Sequence, residues 1–189
     1  MSEVKLLLGD CLELMKDIPD GSIDAIITDP PYGMNKGEWD LEIPNWLHLV
    51  GSNPVACFCG VVGMRDYPTP DWIGAWVRSG STQRNGRLKG FNNWEPILFY
   101  NITKLENDVF RYPNYHDETG HPTTKPTDLM KKIITRMSDE GDIILDPFMG
   151  SGTTLVAAKQ LGRKCVGIEL EEKYCEIAVK RLQQEYLAL

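Results

Sequence analysis

The chain has 189 residues, of which 42% are hydrophobic and 25% are charged. These values are typical of one compact globular domain spanning residues 1–189, and they exclude disordered and fibrous classes. No apolar run approaches the length of a bilayer span, and residues 1–5 lack the pattern of a secretory signal, so we expect a cytoplasmic protein without membrane contact. The net charge of −7 argues against a protein that binds nucleic acid through its charge as a whole.

Short apolar runs alternate along the chain with segments of helical periodicity. Seven runs are predicted to be strands, at 4–8, 23–28, 55–59, 72–77, 97–100, 143–145 and 165–168. Four segments are predicted to be helices, at 12–18, 128–137, 153–161 and from 171 almost to the end. This alternation is typical of an α/β protein with a mostly parallel, seven-stranded sheet. Residues 33–44 and 104–122 are rich in turn residues and are predicted to be long loops, which in compact domains usually bind ligands.

The five cysteines are an odd number and lack the C-x-x-C pairs of structural zinc sites. We therefore expect reduced, mostly buried thiols and no metal site. Cys57 and Cys59 lie two positions apart in a predicted strand, so their side chains share one face. The other three are Cys11, Cys165 and Cys175.

One local stretch departs from the acidic composition. Residues 78–89 carry no acid and four bases, namely Arg78, Arg84, Arg87 and Lys89. These side chains are candidates for contacts with nucleic-acid phosphates. The competing interpretation is a solvated loop.

The sequence Asp29-Pro30-Pro31-Tyr32 follows directly after a predicted buried strand, at the edge where open α/β sheets bind ligands. Two consecutive prolines make a rigid turn whose carbonyl oxygens lack internal donors. The Asp29 carboxylate and the Pro30 carbonyl can each accept one N–H of an aromatic amino group, which frees the nitrogen lone pair for attack, while Tyr32 stacks on the ring. The competing interpretation is an ordinary tight turn.

A second motif lies between a predicted strand and a predicted helix, at residues 146–154 with the sequence D-P-F-M-G-S-G-T-T. Gly150 and Gly152 let the backbone approach a ligand, and the helix that begins near Thr153 offers free N–H groups. The loop has no P-loop lysine and lacks the third glycine of the dinucleotide fingerprint. Glu169 ends the next strand, where a carboxylate can bind two ribose hydroxyls.

These motifs and their order resemble the DNA amino-methyltransferases, in the group whose catalytic motif precedes the cofactor motif. Residues 29–32 match the family's D/N/S-P-P-Y/F, residues 148–152 match its F-x-G-x-G loop for S-adenosylmethionine, and residues 121–126 (H-P-T-T-K-P) match its H-P-x-x-K-P segment. The resemblance covers nearly the whole chain. It implies a Rossmann-like methyltransferase fold with circularly permuted motif order, S-adenosyl-L-methionine as cofactor, and DNA as substrate with the target base flipped out of the helix.

The resemblance also implies roles for individual residues. Asp146 is expected near the methionine amino group, Glu169 at the ribose, and Asp10 at the adenine amino group, although Asp10 with Glu13 also forms a helix-capping pattern. Thr124 and Lys125 are expected near the methionine carboxylate. The other positions expected to line the cofactor are Cys11, Phe148, Gly150, Ser151, Gly152, Thr153 and Leu170.

Adenine N6 is the preferred target, and cytosine N4 is the alternative, because the family's cytosine enzymes usually carry serine in place of Asp29. Cytosine C5 chemistry is disfavoured, since it needs an activated Pro-Cys thiol. A protein glutamine methyltransferase has these motifs in the opposite order, and a non-catalytic binding module would not need Asp29. Because little chain is left for target recognition, segments 33–44 and 78–122 are the candidates, with a short recognition site or a homodimer as the expected solution.

Overall fold

The computed structural model describes residues 3–35, 40–79, 83–85, 90–102, 107–113 and 124–184. The strands are β1 (Val4–Leu8), β2 (Ala25–Thr28), β3 (Val55–Phe58), β4 (Trp72–Ser79), β5 (Gln83–Asn85), β6 (Gly90–Asn92), β7 (Trp94–Tyr100), β8 (Val109–Pro113), β9 (Ile143–Asp146) and β10 (Lys164–Glu169). The α-helices are α1 (Cys11–Leu14), α2 (Thr127–Met137), α3 (Thr153–Gln160) and α4 (Glu172–Gln183). Short 3₁₀ turns occur at Met15–Asp17, Leu47–Leu49 and Gly63–Asp66.

All seven predicted strands are present, and their ends differ from the prediction by up to three residues. The first predicted helix is one turn of α-helix followed by a 3₁₀ turn, because Ile18 is already extended. The other three predicted helices are present. The apolar face of α2 is formed by Leu129, Met130, Ile133 and Ile134, all buried.

Eight of the ten described strands form one sheet in the order β1-β10-β9-β2-β3-β7-β4-β8, and β5 pairs with β6 separately. The five strands from β1 to β3 are parallel neighbours, β7 is antiparallel to both β3 and β4, and β8 is parallel to β4. The fold is therefore the expected α/β, Rossmann-like arrangement with a mostly parallel sheet.

The prediction of a seven-stranded sheet was wrong by one strand, because β8 lies in the segment 104–122 that was predicted to be a loop. Phe110 is buried but Val109 is exposed, and the strand ends at Pro113. An edge strand of this kind lacks the continuous apolar run of a central strand. The segment 78–122 also contains a hairpin, in which Gln83 pairs with Asn92 and Asn85 pairs with Gly90.

Two apolar clusters cover the two faces of the sheet. One contains the inner sides of α2, α3 and α4, and the other contains α1 and the residues around Trp46. Strands β2 and β3 are buried along their whole length, as expected of central parallel strands. All five cysteines are free thiols, and Cys57 and Cys59 lie buried in the same cluster. Among the described residues, no helix is long and apolar enough to cross a membrane.

Strand direction decides which residues meet. Because β1, β2, β9 and β10 are parallel, their carboxyl ends bring Asp10, Asp29, Asp146 and Glu169 to one edge of the sheet. Strand β7 runs the other way, so its first residues, including Glu95, reach the same edge. The carboxyl end of β4 joins them there, since β4 is antiparallel to β7.

Candidate active site

A cavity of about 360 Å³ opens at this edge, and both sequence motifs line it. The predicted site residues that line it are Asp10, Cys11, Asp29, Pro30, Pro31, Tyr32, Arg78, Thr124, Lys125, Asp146, Phe148, Gly150, Ser151, Thr153, Glu169 and Leu170. The two motifs are more than one hundred residues apart in the chain, and the parallel sheet places them in one site.

Gly152 does not line the cavity. Its φ is 80°, and an added Cβ would lie 2.8 Å from the Cβ of Ala178 on α4. Packing and backbone conformation therefore favour glycine at 152, and its expected contact with the cofactor stays a prediction. Gly150 has a φ of 50° and does line the cavity.

Arg181 of α4 holds the loop that leads into α3. Its Nη1 donates to the carbonyl of Ser151 at 2.8 Å, to the Ser151 hydroxyl at 3.0 Å and to the Thr153 hydroxyl at 2.9 Å. The side-chain oxygens of Ser151 and Thr153 are therefore engaged by the protein itself. The sequence offered no signal for Arg181, because an arginine in the last turns of an amphipathic helix is ordinary.

Glu169 ties the glycine loop to β10. Its Oε2 accepts from the Gly150 N–H at 2.9 Å, and its Oε1 accepts from the Glu171 N–H at 2.8 Å. Each carboxylate oxygen keeps a second lone pair, so Glu169 can still accept from two hydroxyls. Asp10 behaves similarly: its Oδ1 caps α1 by accepting from the Leu12 N–H at 2.9 Å.

Asp146 is buried at the end of β9 beneath the loop. Its Oδ1 accepts from the Thr28 hydroxyl at 2.6 Å and from the Phe148 N–H at 3.1 Å. Burial raises the pKa of Asp146 to about 6, although these hydrogen bonds oppose the rise. An ionised Asp146 is thus a buried anion whose charge favours a cationic ligand.

The turn after β2 is organised by Asp40, a buried residue that the sequence analysis missed. The Asp40 Oδ1 accepts from the N–H groups of Tyr32 and Gly33 at 2.7 and 2.9 Å, and its Oδ2 accepts from the Met34 N–H at 3.2 Å. A single aspartate in a turn-rich segment gives no distinctive pattern. Its effect is to fix the backbone of Tyr32 at the mouth of the cavity.

Asp29 lies in a network of charges. The Tyr32 hydroxyl is 2.6 Å from Asp29 Oδ1 and 2.5 Å from Glu95 Oε1. The Lys125 ammonium donates to Asp29 Oδ2 at 2.6 Å and is 3.0 Å from Glu95 Oε1. Arg78 completes the network, with its Nη1 3.0 Å from Glu95 Oε2.

The network sets the protonation of its members. Burial raises the pKa of Asp29, Lys125 opposes that rise, and Glu95 adds to it. Burial also raises the pKa of Tyr32 well above its ordinary value, with the two carboxylates adding to the effect, so its hydroxyl keeps its proton. Burial disfavours the charge on Lys125, but Asp29 and Glu95 more than offset this, and the pKa of the ammonium is raised.

One expectation is corrected by this geometry. Arg78 is not an exposed phosphate contact, because it is 5% exposed, paired with Glu95 and stacked 5.5 Å from the ring centre of Trp76. The Lys125 ammonium is paired with Asp29 and Glu95, and its expected place near the cofactor carboxylate stays a prediction. Glu95 itself was missed, and the available signal was a glutamate inside the apolar run W-E-P-I-L-F-Y.

Several predicted residues are only partly described. Arg84 lies on β5, but its side chain is outside the described part of the structure. Arg87 and Lys89 lie wholly outside it. The first three residues of the H-P-T-T-K-P segment, 121–123, also lie outside it. Thr124 lines the cavity.

The thiols near the cavity are poor nucleophiles. Burial, with a contribution from Asp10, raises the pKa of Cys11 to about 12. Burial, with contributions from Glu95 and Asp29, raises the pKa of Cys59 to about 12. Both stay protonated near neutral pH, as the sequence analysis expected, so the chemistry of the site rests on oxygen acceptors.

A Rossmann-like sheet with a glycine loop, an acidic strand end and a D-P-P-Y turn around one cavity defines an S-adenosylmethionine-dependent methyltransferase. The family model described as DNA methylase (N6_N4_Mtase) matches residues 75–180, which is more than half of the chain. The chain therefore belongs to the DNA methylase family.

The chain is similar to two type II methyltransferases over almost its whole length. It is 27% identical over 251 residues to M.BglII of Bacillus subtilis, covering 96% of this chain and 69% of that protein. It is 27% identical over 235 residues to M.HpaI of Haemophilus parainfluenzae, covering 96% of this chain and 75% of that protein. Both alignments are longer than this chain, so the relatives carry additional residues inside the matched span.

Solved structures agree. M1.HpyAVI in complex with SAM is 30% identical, with a TM-score of 0.74, and the match covers 95% of this chain and all of that one. The PvuII DNA methyltransferase, described as cytosine-N4-specific, gives a TM-score of 0.75 at 16% identity, covering 100% of this chain and 89% of that one. The second likeness shows a shared fold alone.

The cavity fits S-adenosylmethionine, the methyl donor of this family. Its volume of about 360 Å³ lies in the usual range for small-ligand sites. The carboxylates of Glu169 and Asp10 keep lone pairs for hydroxyl and amino groups, and buried Asp146 favours a cation. Leu170, 63% exposed at the rim, offers an apolar surface for a purine.

Proposed function

We propose that this DNA methyltransferase transfers the methyl group to the N6 amino group of adenine, and that Asp29 accepts a hydrogen bond from the reacting nitrogen. The observation that carries the proposal is that the D-P-P-Y turn and the glycine loop line the same cavity. Methyl transfer requires the donor and the acceptor nitrogen to meet in one site, and positioning of the two reactants is the main task of such a protein.

The cofactor supplies an electrophilic methyl group on a sulfonium when it is bound. In the proposed arrangement Asp146 binds its amino group, Glu169 its ribose hydroxyls, and Asp10 its adenine amino group. Phe148 is held by the buried ring of Trp46, with ring centres 5.8 Å apart, and presents a fixed apolar surface. The other proposed cofactor positions are Cys11, Thr124, Gly150, Ser151, Thr153 and Leu170.

Asp29 and the Pro30 carbonyl act on the amino group of the base. An amino nitrogen attached to an aromatic ring is a weak nucleophile because its lone pair is delocalised. Two acceptors that hold its two N–H bonds favour tetrahedral nitrogen and release the lone pair. The Asp29 side chain is 24% exposed, so it is accessible from the cavity. Tyr32 contacts one of its oxygens and Lys125 the other, and each oxygen keeps a second lone pair for the base.

Adenine is preferred because Asp29 stands where the family's cytosine enzymes usually have serine. Cytosine N4 is the alternative, since the same amino chemistry applies to it. The likeness to the cytosine-N4-specific PvuII enzyme does not decide between them, because it is a likeness of fold.

DNA approaches the proposed site from the cavity mouth, with the target base flipped out and stacked on Tyr32. Segments 33–44 and 78–122 are the proposed recognition segments. In their support, Met34, Asp40 and Asn92 line the cavity. Asn92 pairs with Gln83 at the base of the β5–β6 hairpin, so the hairpin begins at the cavity edge. We propose phosphate contacts for Arg84, Arg87 and Lys89; a homodimer stays a prediction.

A methyl-transfer assay with labelled S-adenosylmethionine on DNA of mixed sequence tests the proposal. The labelled DNA is digested, its nucleosides are separated, and we expect the label in N6-methyl-2′-deoxyadenosine. Label in N4-methylcytosine would establish the alternative target. Purified enzyme that binds the cofactor but labels no DNA would support the non-catalytic interpretation.

A further inference from the structure

Glu95 is a buried carboxylate at the cavity edge. It is the second residue of β7, it is 7% exposed, and both its oxygens are used. Oε1 faces the Tyr32 hydroxyl at 2.5 Å and the Lys125 ammonium at 3.0 Å, and Oε2 faces the Arg78 guanidinium at 3.0 Å. A carboxylate is costly to bury, and such groups are retained when they are fully paired. Glu95 is paired on both oxygens.

Glu95 and Asp29 share two partners. The Tyr32 hydroxyl and the Lys125 ammonium each reach both carboxylates. The two carboxylates differ in their surroundings. Asp29 is the more exposed of the two and opens to the cavity, whereas Glu95 is paired with Arg78. Glu95 is therefore the fixed end of the network, and Asp29 is the end available to a substrate.

The aromatic residues around the ammonium strengthen this view. The Lys125 nitrogen lies 5.4 Å from the ring centre of Tyr32, 5.1 Å from that of Phe58 and 5.9 Å from that of Trp76. The ammonium is therefore enclosed by rings and carboxylates. Loss of the Glu95 charge strengthens its pairing with Asp29.

We propose that Glu95 is a positioning residue for methyl transfer, which fixes the Tyr32 ring and the Lys125 ammonium at the place where both meet Asp29. The inference rests on the proposed role of Asp29 as acceptor from the target amino group. If Glu95 is removed, Asp29 is the anionic partner that remains to Tyr32 and Lys125 among the described residues. Asp29 is then held more strongly by the protein and is less available to the base.

The charges around Glu95 give this role a signature. The groups that face it are Tyr32 and Asp29 after β2, Arg78 on β4, Lys125 before α2, and the Cys59 thiol after β3. The negative charge of Glu95 adds to the rise in the pKa of Asp29. Loss of that charge removes a contribution that raises the pKa of Asp29 and leaves Lys125 to lower it, so the acid limb of the rate profile moves to lower pH.

The test uses Glu95→Gln, which keeps the shape and removes the charge, and Tyr32→Phe, which keeps the ring and removes the shared hydroxyl. Turnover, the Kd for S-adenosylmethionine and the pH profile are measured for both, for the double variant and for Asp29→Ala. Glu176→Gln, an exposed glutamate on α4, is the matched control. If Glu95→Gln does not fold, the double variant Arg78→Gln/Glu95→Gln is measured instead, because it removes both charges of the buried ion pair together.

We expect Glu95→Gln to lower kcat about tenfold, to leave the cofactor Kd within twofold, and to move the acid limb to lower pH. The double variant Tyr32→Phe/Glu95→Gln should be no slower than about the worse single variant, because both changes act on the shared contact between the Tyr32 hydroxyl and Glu95. Wild-type kcat and an unmoved acid limb in Glu95→Gln, or fully additive losses in the double variant, would overturn the inference. Asp29→Ala separates the two proposals: wild-type turnover there defeats the proposed function, whereas an inactive Asp29→Ala beside a normal Glu95→Gln defeats only this inference.

Discussion

The ammonium nitrogen of Lys125 lies 2.6 Å from Oδ2 of Asp29, although 96 positions separate the two residues in sequence. The resemblance to the family placed Lys125 at the cofactor carboxylate instead. In the structure the cation stabilises the anionic form of Asp29, which burial disfavours. The H-P-T-T-K-P segment and the D-P-P-Y turn are thus coupled through one ion pair.

Lys125→Met should lower kcat by about tenfold or more near pH 7 and move the acid limb of the rate profile to higher pH. The reason is that Asp29 loses the cation that opposes the rise in its pKa. The cofactor Kd should stay within twofold, which calorimetry measures, and Lys180→Met on the exposed face of α4 is the control. A large loss of cofactor affinity with unchanged kcat would return Lys125 to the cofactor carboxylate.

Glu169→Ala should weaken S-adenosylmethionine binding about ten- to hundredfold and leave the fold intact. The carboxylate accepts a hydrogen bond from the Gly150 N–H, and we propose that it also accepts hydrogen bonds from the ribose hydroxyls. Glu169→Gln should lose less, because it keeps one acceptor oxygen. Titration calorimetry decides, with Glu172→Ala as an exposed control; an unchanged Kd in Glu169→Ala would show that Glu169 only ends a strand.

Affinity for S-adenosylmethionine should fall as the pH drops below about 6, approaching tenfold per pH unit. Burial raises the pKa of Asp146 to about 6, and a bound ammonium group favours the ionised carboxylate. Below this pH the carboxylate is protonated in the free protein, so binding must release a proton. Calorimetric Kd values from pH 5 to 8 measure the effect. In Asp146→Asn, binding should be weaker and this pH dependence absent; the same dependence in the variant would assign it to another group.

Much of the fold was predictable because β2, β3, β9 and β10 are short apolar runs with clear ends. Strand β8 was not, since its pairing with β4 is a tertiary contact that leaves little apolar pattern in the sequence. In the site, the motif residues reach one cavity as expected. Glu95 was missed because it acts through partners that are distant in sequence. Asp40 was missed because a single aspartate in a turn-rich segment gives no distinctive pattern, although its partners are only six to eight positions away.

The triple change of Arg84, Arg87 and Lys89 to alanine should weaken DNA binding across sequences and flatten its salt dependence. Each lost phosphate contact should reduce the slope of log K against log salt by about one unit. Fluorescence anisotropy on a short duplex measures the slope, the cofactor Kd should be unchanged, and Lys180→Ala is the control. A slope equal to that of the wild type would mean that these bases are solvated.

The central claim is that Asp29 accepts a hydrogen bond from the reacting amino group. Its most direct test is single-turnover methyl transfer to DNA by Asp29→Ala at saturating cofactor, with Asp29→Ser measured beside it. We predict a loss of about a hundredfold in rate for Asp29→Ala, roughly 3 kcal/mol of transition-state stabilisation, with the cofactor Kd little changed, and residual activity or a shift toward cytosine for Asp29→Ser. A rate for Asp29→Ala close to that of the wild type would contradict the account.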